Sequence, residues 1–283
     1  MRNTIFVLVI WICLAQIGNP ALAANIALII DDMGNKRQDA QAFELPSEVT
    51  FSILPHKTLS QPYSLRAEQQ QREVMLHIPM ESLGGKRLGP GGITSDMGPS
   101  LITQLLSRAL LTVPNAVGVN NHMGSKLTQL TLPMSVTMEF LHKRGLYFVD
   151  SRTTRYSKAE NIAKQKGVLS TKRNVFLDHV ADYEHIDAQF KRLIYLAKKY
   201  GQAVGIGHPY PQSMQYLKTH LPTLAAQGIR LVPLSDLLHE QQRLAKLSSH
   251  SVVITVVDSI LPKNTGVQIK YTEINSAQHV APD

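Results

Sequence analysis

Eight short apolar runs recur along the chain, and most of them are followed by a polar residue and then by an amphipathic stretch. The length of these runs and the turn-forming residues around them are typical of strands buried in a parallel sheet. The predicted strands are Asn25–Ile30, Val49–Leu54, Glu73–Leu76, Ala116–Val119, Leu146–Val149, Asn174–Leu177, Ala203–Ile206 and Ile229–Val232.

Helices are predicted between these strands, because proline or serine opens several of the stretches and glycine follows three of them. The predicted helices are Gln38–Phe43, Leu59–Gln71, Pro99–Leu111, Pro133–Lys143, Ile186–Tyr200 and Ser213–Gln227. Strands that alternate with helices form right-handed βαβ units. We therefore predict an α/β fold, a (β/α) barrel of seven or eight parallel strands that is closed or incompletely closed. A doubly wound open sheet is the alternative.

The first 23 residues are typical of a secretory signal peptide. Arg2 gives a positive start, Ile5–Ile17 is an apolar run, and Ala21-Leu22-Ala23 offers small residues for cleavage. The run is shorter than the roughly 20 residues that span a bilayer, so we predict export to the periplasm rather than a retained anchor. The single cysteine, Cys13, lies in this segment. Thiol catalysis and cysteine–zinc sites are therefore excluded from the exported chain.

The formal net charge of +8 would suit an anionic partner. The basic residues are scattered, however, and their densest clusters are pairs such as Lys172-Arg173 and Lys198-Lys199. Nucleic-acid binding requires a basic face or arm, so we predict no nucleic-acid partner. The sequence carries no signal for an oligomeric state.

Two segments depart from the strand and helix repeat. Ser82–Gly98 is rich in glycine and proline and follows a strand end, so it is either a substrate loop or an ordinary surface excursion. The repeat stops near residue 240, which predicts a barrel domain over 24–240 and a C-terminal extension over 241–283. Within the extension, Ser251–Val257 and Val267–Tyr271 are predicted to be extended, as a hairpin or a loose tail.

Acidic residues or histidines end six of the eight predicted strands. In a βα barrel the carboxyl ends of the strands converge on one face. A single Asp or His at such a position is usually a helix cap or a structural residue, but six together indicate a site. The strand-end groups are Asp31-Asp32, His77, Asn120-Asn121-His122, Asp150-Ser151-Arg152, Asp178-His179 and His208.

These residue types suit hydrolysis assisted by a metal. Three histidines or carboxylates from different strands can hold a divalent cation and leave one position open for water. A neighbouring carboxylate can take a proton from that water, and a histidine across the site can protonate the leaving group. The pair Asp31-Asp32 would then divide the metal-binding and base roles.

Five of these segments resemble the divergent polysaccharide deacetylase family, which is related to the deacetylases of chitooligosaccharides and peptidoglycan. The resemblance covers Asn25 to Leu238, and the five segments are specific as a set rather than singly. The segments are Ile29-Ile30-Asp31-Asp32-Met33-Gly34, Leu76-His77-Ile78-Pro79-Met80-Glu81, Asn121-His122-Met123-Gly124-Ser125, Asp150-Ser151-Arg152-Thr153 and Gly205-Ile206-Gly207-His208-Pro209.

The resemblance implies roles for four residues of this chain. It implies Asp31 as the general base and Asp32 as a metal ligand. It implies His77 as a second metal ligand and His208 as the general acid.

The third metal ligand is open between two residues. Related deacetylases place a second histidine four residues after the first, where this chain has Glu81. Either Glu81 or, as we favour, His122 of the next strand completes the site. The arginine element of the related enzymes is also absent at the fourth strand. Asp150 and Arg152 are the remaining catalytic candidates, and Arg152 is the possible substitute for that arginine.

We accordingly predict an exported hydrolase that binds a divalent metal, with zinc favoured, and deacetylates an acetylated carbohydrate or cell-wall glycan at a C–N or ester bond. The alternative is a non-catalytic periplasmic protein that binds glycan on a degenerate deacetylase scaffold. A serine hydrolase is disfavoured, because the chain has no Gly-x-Ser-x-Gly elbow.

Overall fold

A computed structural model describes the backbone of residues 24–260 and the side chains of residues 24–247. The predicted signal peptide, including Cys13, and the predicted segment Val267–Tyr271 lie outside the described residues. Nine strands form one sheet. They are β1 (Ala24–Met33), β2 (Thr50–Ile53), β3 (Val74–Met80), β4 (Ala116–Met123), β5 (Tyr147–Asp150), β6 (Ser170–Lys172), β7 (Val175–Phe176), β8 (Gln202–Gly207) and β9 (Ile229–Leu231).

Seven α-helices accompany the strands among the described residues. They are α1 (Ser60–Gln69), α2 (Pro99–Thr112), α3 (Thr131–His142), α4 (Ala159–Gln165), α5 (Tyr183–Tyr200), α6 (Pro211–His220) and α7 (Leu234–Ile260). The predicted helix Gln38–Phe43 is instead a 3-10 helix, Arg37–Glu44. The helical region predicted over Ser213–Gln227 ends its α-helix at His220 and continues as 3-10 turns, because Pro222 cannot extend the hydrogen-bonded helix.

The strands run in the order β6-β5-β4-β3-β2-β1-β8-β7, and every strand pairing is parallel. Strand β8 pairs with β1 along Asn25–Ile30. Strand β9 pairs with the amino end of β1, whereas β2 pairs with its carboxyl end. The central strand β1 is therefore paired along both edges.

The two ends of this strand order meet at residues 170–176, which contain β6 and β7. The amide of Arg173 donates to the carbonyl of Asp150 on β5, at 3.0 Å, and the amide of Asn174 donates to Val204 on β8, at 2.9 Å. One short segment therefore joins one edge of the sheet to the other edge. The sheet is a curled, incompletely closed (β/α) barrel, which confirms the predicted fold class.

Side chains of the strands alternate between two apolar clusters. Ile26 and Leu28 of β1 pack outward into the larger cluster with the helices, whereas Ala27 and Ile29 belong to a smaller inner cluster. Leu237, from the first turns of α7, completes the inner cluster. The start of α7 therefore closes the amino end of the barrel, and the carboxyl end is left for polar groups.

The eight apolar runs all contain a strand, whereas three other segments differ from the sequence prediction. Strand β6 and helix α4 were not predicted, because each is short and lacks a long apolar pattern. Ser251–Val257, predicted to be extended, belongs to α7. Short runs rich in valine fit a strand or a helix equally well by periodicity, which explains this error. The division of the chain at residue 240 stays a prediction.

Among the described residues, no helix is long and apolar enough to cross a bilayer.

The tightest backbone approach in the barrel predicts a destabilised variant. A Cβ added at Gly118 of β4 would lie 2.1 Å from the ring of Tyr147, whose hydroxyl is anchored on Glu73 at 2.7 Å. We expect Gly118→Ala to lower the free energy of unfolding by about 1–3 kcal/mol in urea titrations, because the ring cannot move aside freely. Val117→Ala, at the exposed neighbouring position, is the control and should change it by less than about 1 kcal/mol. Equal stabilities for the two variants would contradict this packing.

Candidate metal centre

Asp31 and Asp32 both face the carboxyl-end mouth of the barrel, although successive strand residues normally point to opposite faces. The register between β1 and β2 shifts between Ile30 and Met33, and Asp32 has a φ of +59°, in the left-handed region. This local irregularity turns both carboxylates towards His77 on β3. The Nε2 atom of His77 lies 3.7 Å from Asp31 Oδ2 and 3.2 Å from Asp32 Oδ1.

Asn120 of β4 orients the buried groups behind the mouth. Its Oδ1 accepts the hydroxyl of Ser52, at 2.5 Å, and lies 2.6 Å from His77 Nδ1. Its Nδ2 donates to Asp31 Oδ1 at 2.8 Å. Since the amide oxygen can only accept, His77 donates from Nδ1, and Nε2 is the ring nitrogen that faces the mouth.

Three donor atoms from three strands converge at the mouth. Asp32 Oδ1, His77 Nε2 and His122 Nδ1 lie within 3.2 Å of one another: 2.9 Å separates the His122 and Asp32 atoms, and 3.2 Å separates the His122 and His77 atoms. We call this set the tripod. Tetrahedral ligands at about 2.0–2.1 Å from a zinc ion lie about 3.3 Å apart, so the spacing suits a divalent cation. Asp32 Oδ1 is also buried without a hydrogen-bond partner of good geometry, as a metal-ligating oxygen would be.

The charges of the tripod are tightly interdependent. Burial by itself would raise the pKa of Asp32, but the nearby imidazoles of His122 and His77 hold that pKa well below its usual range. Burial by itself would lower the pKa of His77, but the carboxylates of Asp31 and Asp32 raise it to about 9. Two carboxylates facing one imidazole therefore concentrate negative charge here, which favours a cation.

His208 stands across the mouth from the tripod and is held by Asp178. Its Nδ1 lies 2.9 Å from Asp178 Oδ1, and its backbone amide donates to Asp178 Oδ2 at 2.7 Å. Ser213 also donates to Oδ2, at 2.6 Å. The other ring nitrogen, Nε2, lies 3.9 Å from Asp32 Oδ2 and therefore faces the site. Burial lowers the pKa of His208, but the hydrogen bond and charge of Asp178 outweigh it and leave that pKa raised.

Glu81, the other candidate for the third ligand, is engaged elsewhere. Its carboxylate accepts Lys126 Nζ at 2.6 Å and the amide of Ser95 at 2.6 Å. The hydrogen bonds from Lys126 and Ser95 lower the pKa of Glu81 to about 2. These contacts anchor the chain after β3, and they favour His122 over Glu81 as the third donor.

Asp150 and Arg152 lie at the end of β5. Asp150 is buried and accepts the amide of Arg152 at 2.8 Å, which supports a left-handed turn at Arg152 with a φ of +50°. The guanidinium of Arg152 donates to the carbonyl of Ser157 at 3.2 Å. Among the described residues, no hydrogen bond or ion pair joins either side chain to the tripod. Their catalytic roles stay predictions.

Arg173, a member of the basic pair Lys172-Arg173, is partly buried in this region. Its Nε donates to the carbonyl of Ser151 at 2.7 Å, and its guanidinium lies 5.0 Å from the ring centre of Phe176. Burial lowers the pKa of Arg173, and the charges of Asp31 and Asp150 act in the opposite direction. Its place in the link between β6 and β7, which the sequence pattern did not reveal, brings this charge towards Asp31.

A cavity of about 290 Å³ opens beside the tripod. Asp32 and His122 line it together with residues of the β2–α1 connection and of the loop 82–98. The loop is fixed to β3, because the amide of the fully buried Ile93 donates to Pro79 at 2.9 Å and its carbonyl accepts the amide of Glu81 at 3.0 Å. The glycine-rich segment therefore forms a wall of the site cavity.

Comparisons with known proteins identify the family and the relatives of this chain. The sequence model of the family described as divergent polysaccharide deacetylase matches residues 28–238. The uncharacterized protein YibQ of Escherichia coli (strain K12) is 35% identical over 230 residues, which cover 81% of this chain and 72% of that protein.

Solved structures share the same architecture. An uncharacterized protein from Agrobacterium tumefaciens C58 has a TM-score of 0.74 at 24% identity, over 76% of this chain and 89% of that one. The catalytic domain of peptidoglycan N-acetylglucosamine deacetylase from Eubacterium rectale ATCC 33656 has a TM-score of 0.51 at 16% identity, over 75% of this chain and 88% of that one. At these identities, the likeness shows the fold alone.

The bridging role of Asn120 predicts a stability defect. Asn120→Ala removes the partner of the buried Asp31 and His77 groups, so we expect the free energy of unfolding to fall by about 2–4 kcal/mol in urea titrations. Asn115→Ala is the matched control, because the side-chain amide of Asn115 donates to the solvent-exposed carboxylate of Glu68, at 2.9 Å. The control should lose less than about 1 kcal/mol. Similar losses in both variants would show that Asn120 does not support the buried groups.

Proposed function

The chain belongs to the divergent polysaccharide deacetylase family, and from this premise we propose that it is a metal-dependent hydrolase that removes acetyl groups from an envelope glycan. The observation that carries the proposal is the convergence of Asp32, His77 and His122 within 3.2 Å of one another, next to a buried carboxylate and a carboxylate-held histidine. A scaffold that only bound glycan would have no need to gather these groups at such cost in burial.

Asp32, His77 and His122 would hold the cation, and zinc is the identity we favour. Two imidazole nitrogens and one carboxylate oxygen are a donor set that zinc accepts, and three protein ligands leave a coordination position open. A bound cation supplies Lewis acidity that polarises the acetyl carbonyl and makes a water more acidic.

Asp31 is the general base in this proposal. Asn120 occupies Asp31 Oδ1, so Oδ2, which lies 3.7 Å from His77 Nε2, is the oxygen available to accept the proton of the attacking water. The bond between the acetyl carbon and the glycan nitrogen or oxygen then breaks. The leaving group gains its proton from another residue.

His208 is the general acid in this proposal. Asp178 binds Nδ1 and stabilises the protonated ring, while Nε2 faces the site. This arrangement keeps a proton on the nitrogen that faces the leaving group, because the charge of Asp178 raises the pKa of His208. After acetate is released, protons must return from Asp31 to solvent and from solvent to His208.

An envelope glycan is the substrate we favour. The predicted signal peptide would export the chain to the periplasm, where acetylated glycans are found. A structure of the same fold, from Eubacterium rectale ATCC 33656, is that of a peptidoglycan N-acetylglucosamine deacetylase, which supports the same substrate class.

The first prediction for this proposal separates the two candidates for the third ligand. We expect His122→Ala to weaken zinc binding by about 100-fold or more, because it removes a donor of the tripod. Glu81→Ala should leave zinc affinity within about threefold, since Glu81 binds Lys126 and Ser95 instead. Calorimetric titration of the purified protein with zinc would measure both. If His122→Ala bound zinc normally and Glu81→Ala did not, Glu81 rather than His122 would be the third ligand.

The second prediction tests the base. Asp31→Asn should keep zinc but lower kcat for an acetylated chitooligosaccharide by about 10²- to 10⁴-fold, because the amide cannot accept the proton. Asp187→Asn, on the surface, is the control and should keep native turnover. Wild-type protein that binds zinc and glycan but releases no acetate would refute the enzymatic proposal and favour a glycan-binding protein.

A further inference from the structure

Two cations line the cavity beside the tripod without an acidic partner. Lys57 and Arg87 stand in its wall together with Asp32 and His122. Lys57 is half-buried and Arg87 is exposed. Within residues 24–247, neither Lys57 nor Arg87 forms an ion pair, whereas nearby Lys126 is neutralised by Glu81 at 2.6 Å. The only carboxylate in the lining is that of Asp32, which belongs to the tripod.

The glycine-rich loop fixes the position of these cations. A Cβ added at Gly91 would lie 2.7 Å from the ring of His56, so the loop packs directly on the segment that carries Lys57. Lys57 Nζ itself reaches to 3.9 Å from the Cβ position of Gly89. The anchoring of Ile93 to β3 holds the other end of the loop. Arg87 is therefore presented on the same wall by a loop that is bound to the barrel at both sides of the cavity.

Apart from Asn35, the remaining side chains that line the cavity are apolar. They are Leu54, Pro55, Pro79, Leu88 and Pro90. Flat apolar walls with a few charged groups suit the ring of a sugar that carries a charged substituent. The volume of about 290 Å³ is at the lower end of small-molecule sites, so it accommodates one sugar residue rather than a longer segment.

We propose that the substrate is an acetylated glycan in which the sugar that enters this cavity carries a carboxylate, and that Lys57 and Arg87 bind this carboxylate. The inference rests on the proposed function and names its substrate class. A divalent cation in the tripod would outweigh the charge of Asp32, so the cavity would be strongly positive. A carboxylate would pair with Lys57 and Arg87 through charge-assisted hydrogen bonds, whereas a neutral glycan leaves both cations to water.

The test compares two oligosaccharides that differ only in this charge. One is an N-acetylated amino-sugar oligosaccharide with a lactyl ether carboxylate, and the other is the same compound with the carboxylate converted to its methylamide. Calorimetric titration of the purified, zinc-supplied protein should give about tenfold tighter binding of the carboxylate form. This preference should shrink between low and high sodium chloride, because the cations are partly exposed to solvent.

Variants of Lys57 and Arg87 test whether these two side chains, rather than the overall positive charge of the protein, bind the carboxylate. Lys57→Met and Arg87→Met should each reduce the preference for the carboxylate about threefold, and the double variant should abolish it. Lys86→Met removes the same charge from the adjacent loop position, which does not line the cavity, so it should keep the full preference. Circular dichroism and zinc content would establish that all variants fold and bind the metal normally.

Two results would overturn the inference: equal affinities for the two oligosaccharides, or an undiminished preference in the double variant. The outcome is separable from that of the proposed function, since binding and acetate release are measured independently. Preferential binding of the carboxylate form without acetate release would refute the enzymatic proposal and still support the carboxylate site. Equal binding and equal hydrolysis of both compounds would refute the carboxylate site and still support the enzymatic proposal.

Discussion

The side chain of Asn120 connects the groups on which the site depends. It holds Asp31 through its amide nitrogen and His77 through its amide oxygen, while Ser52 fixes the orientation of the amide. This single residue selects the tautomer of His77 and occupies one oxygen of Asp31. Metal-binding histidines commonly need such a partner, because a freely rotating imidazole presents the wrong nitrogen as often as the right one. The tripod and Asp31 are thus parts of one hydrogen-bond network rather than separate features.

The barrel could be predicted because its strands are buried on both faces. Such strands appear as short continuous apolar runs, and each of the eight runs contains one. Strand β6 escaped prediction since Ser170–Lys172 is polar and is a strand only through its pairing with β5. Helix α7 was misread at Ser251–Val257, where a valine-rich run continues a helix. The failures lie where tertiary position, rather than local pattern, determines the structure.

The candidate site was predictable in outline for a related reason. Parallel strands deliver their carboxyl ends to one mouth, so the residues there could be identified without coordinates. Which of these residues contact one another depends on the register of the paired strands, and the sequence alone does not reveal that register. His77 pairs with Asn120 and Pro79 with His122 across β3 and β4, so residues two apart share the inner face. Glu81 lies just beyond the end of β3 and turns to Lys126. The support of His208 by Asp178 and the position of Arg173 likewise follow from strand pairing.

The backbone at Asp32 has a consequence for how this chain tolerates change. A non-glycine residue with a φ of +59° stores conformational energy, which the surrounding fold must offset. Glycine there would relieve that strain, but it would also remove the carboxylate that contacts His77 at 3.2 Å and His122 at 2.9 Å. The ion pairs that Asp32 forms therefore offset part of the strain in its own backbone. Glycine cannot both relax the backbone at this position and keep the third donor of the tripod.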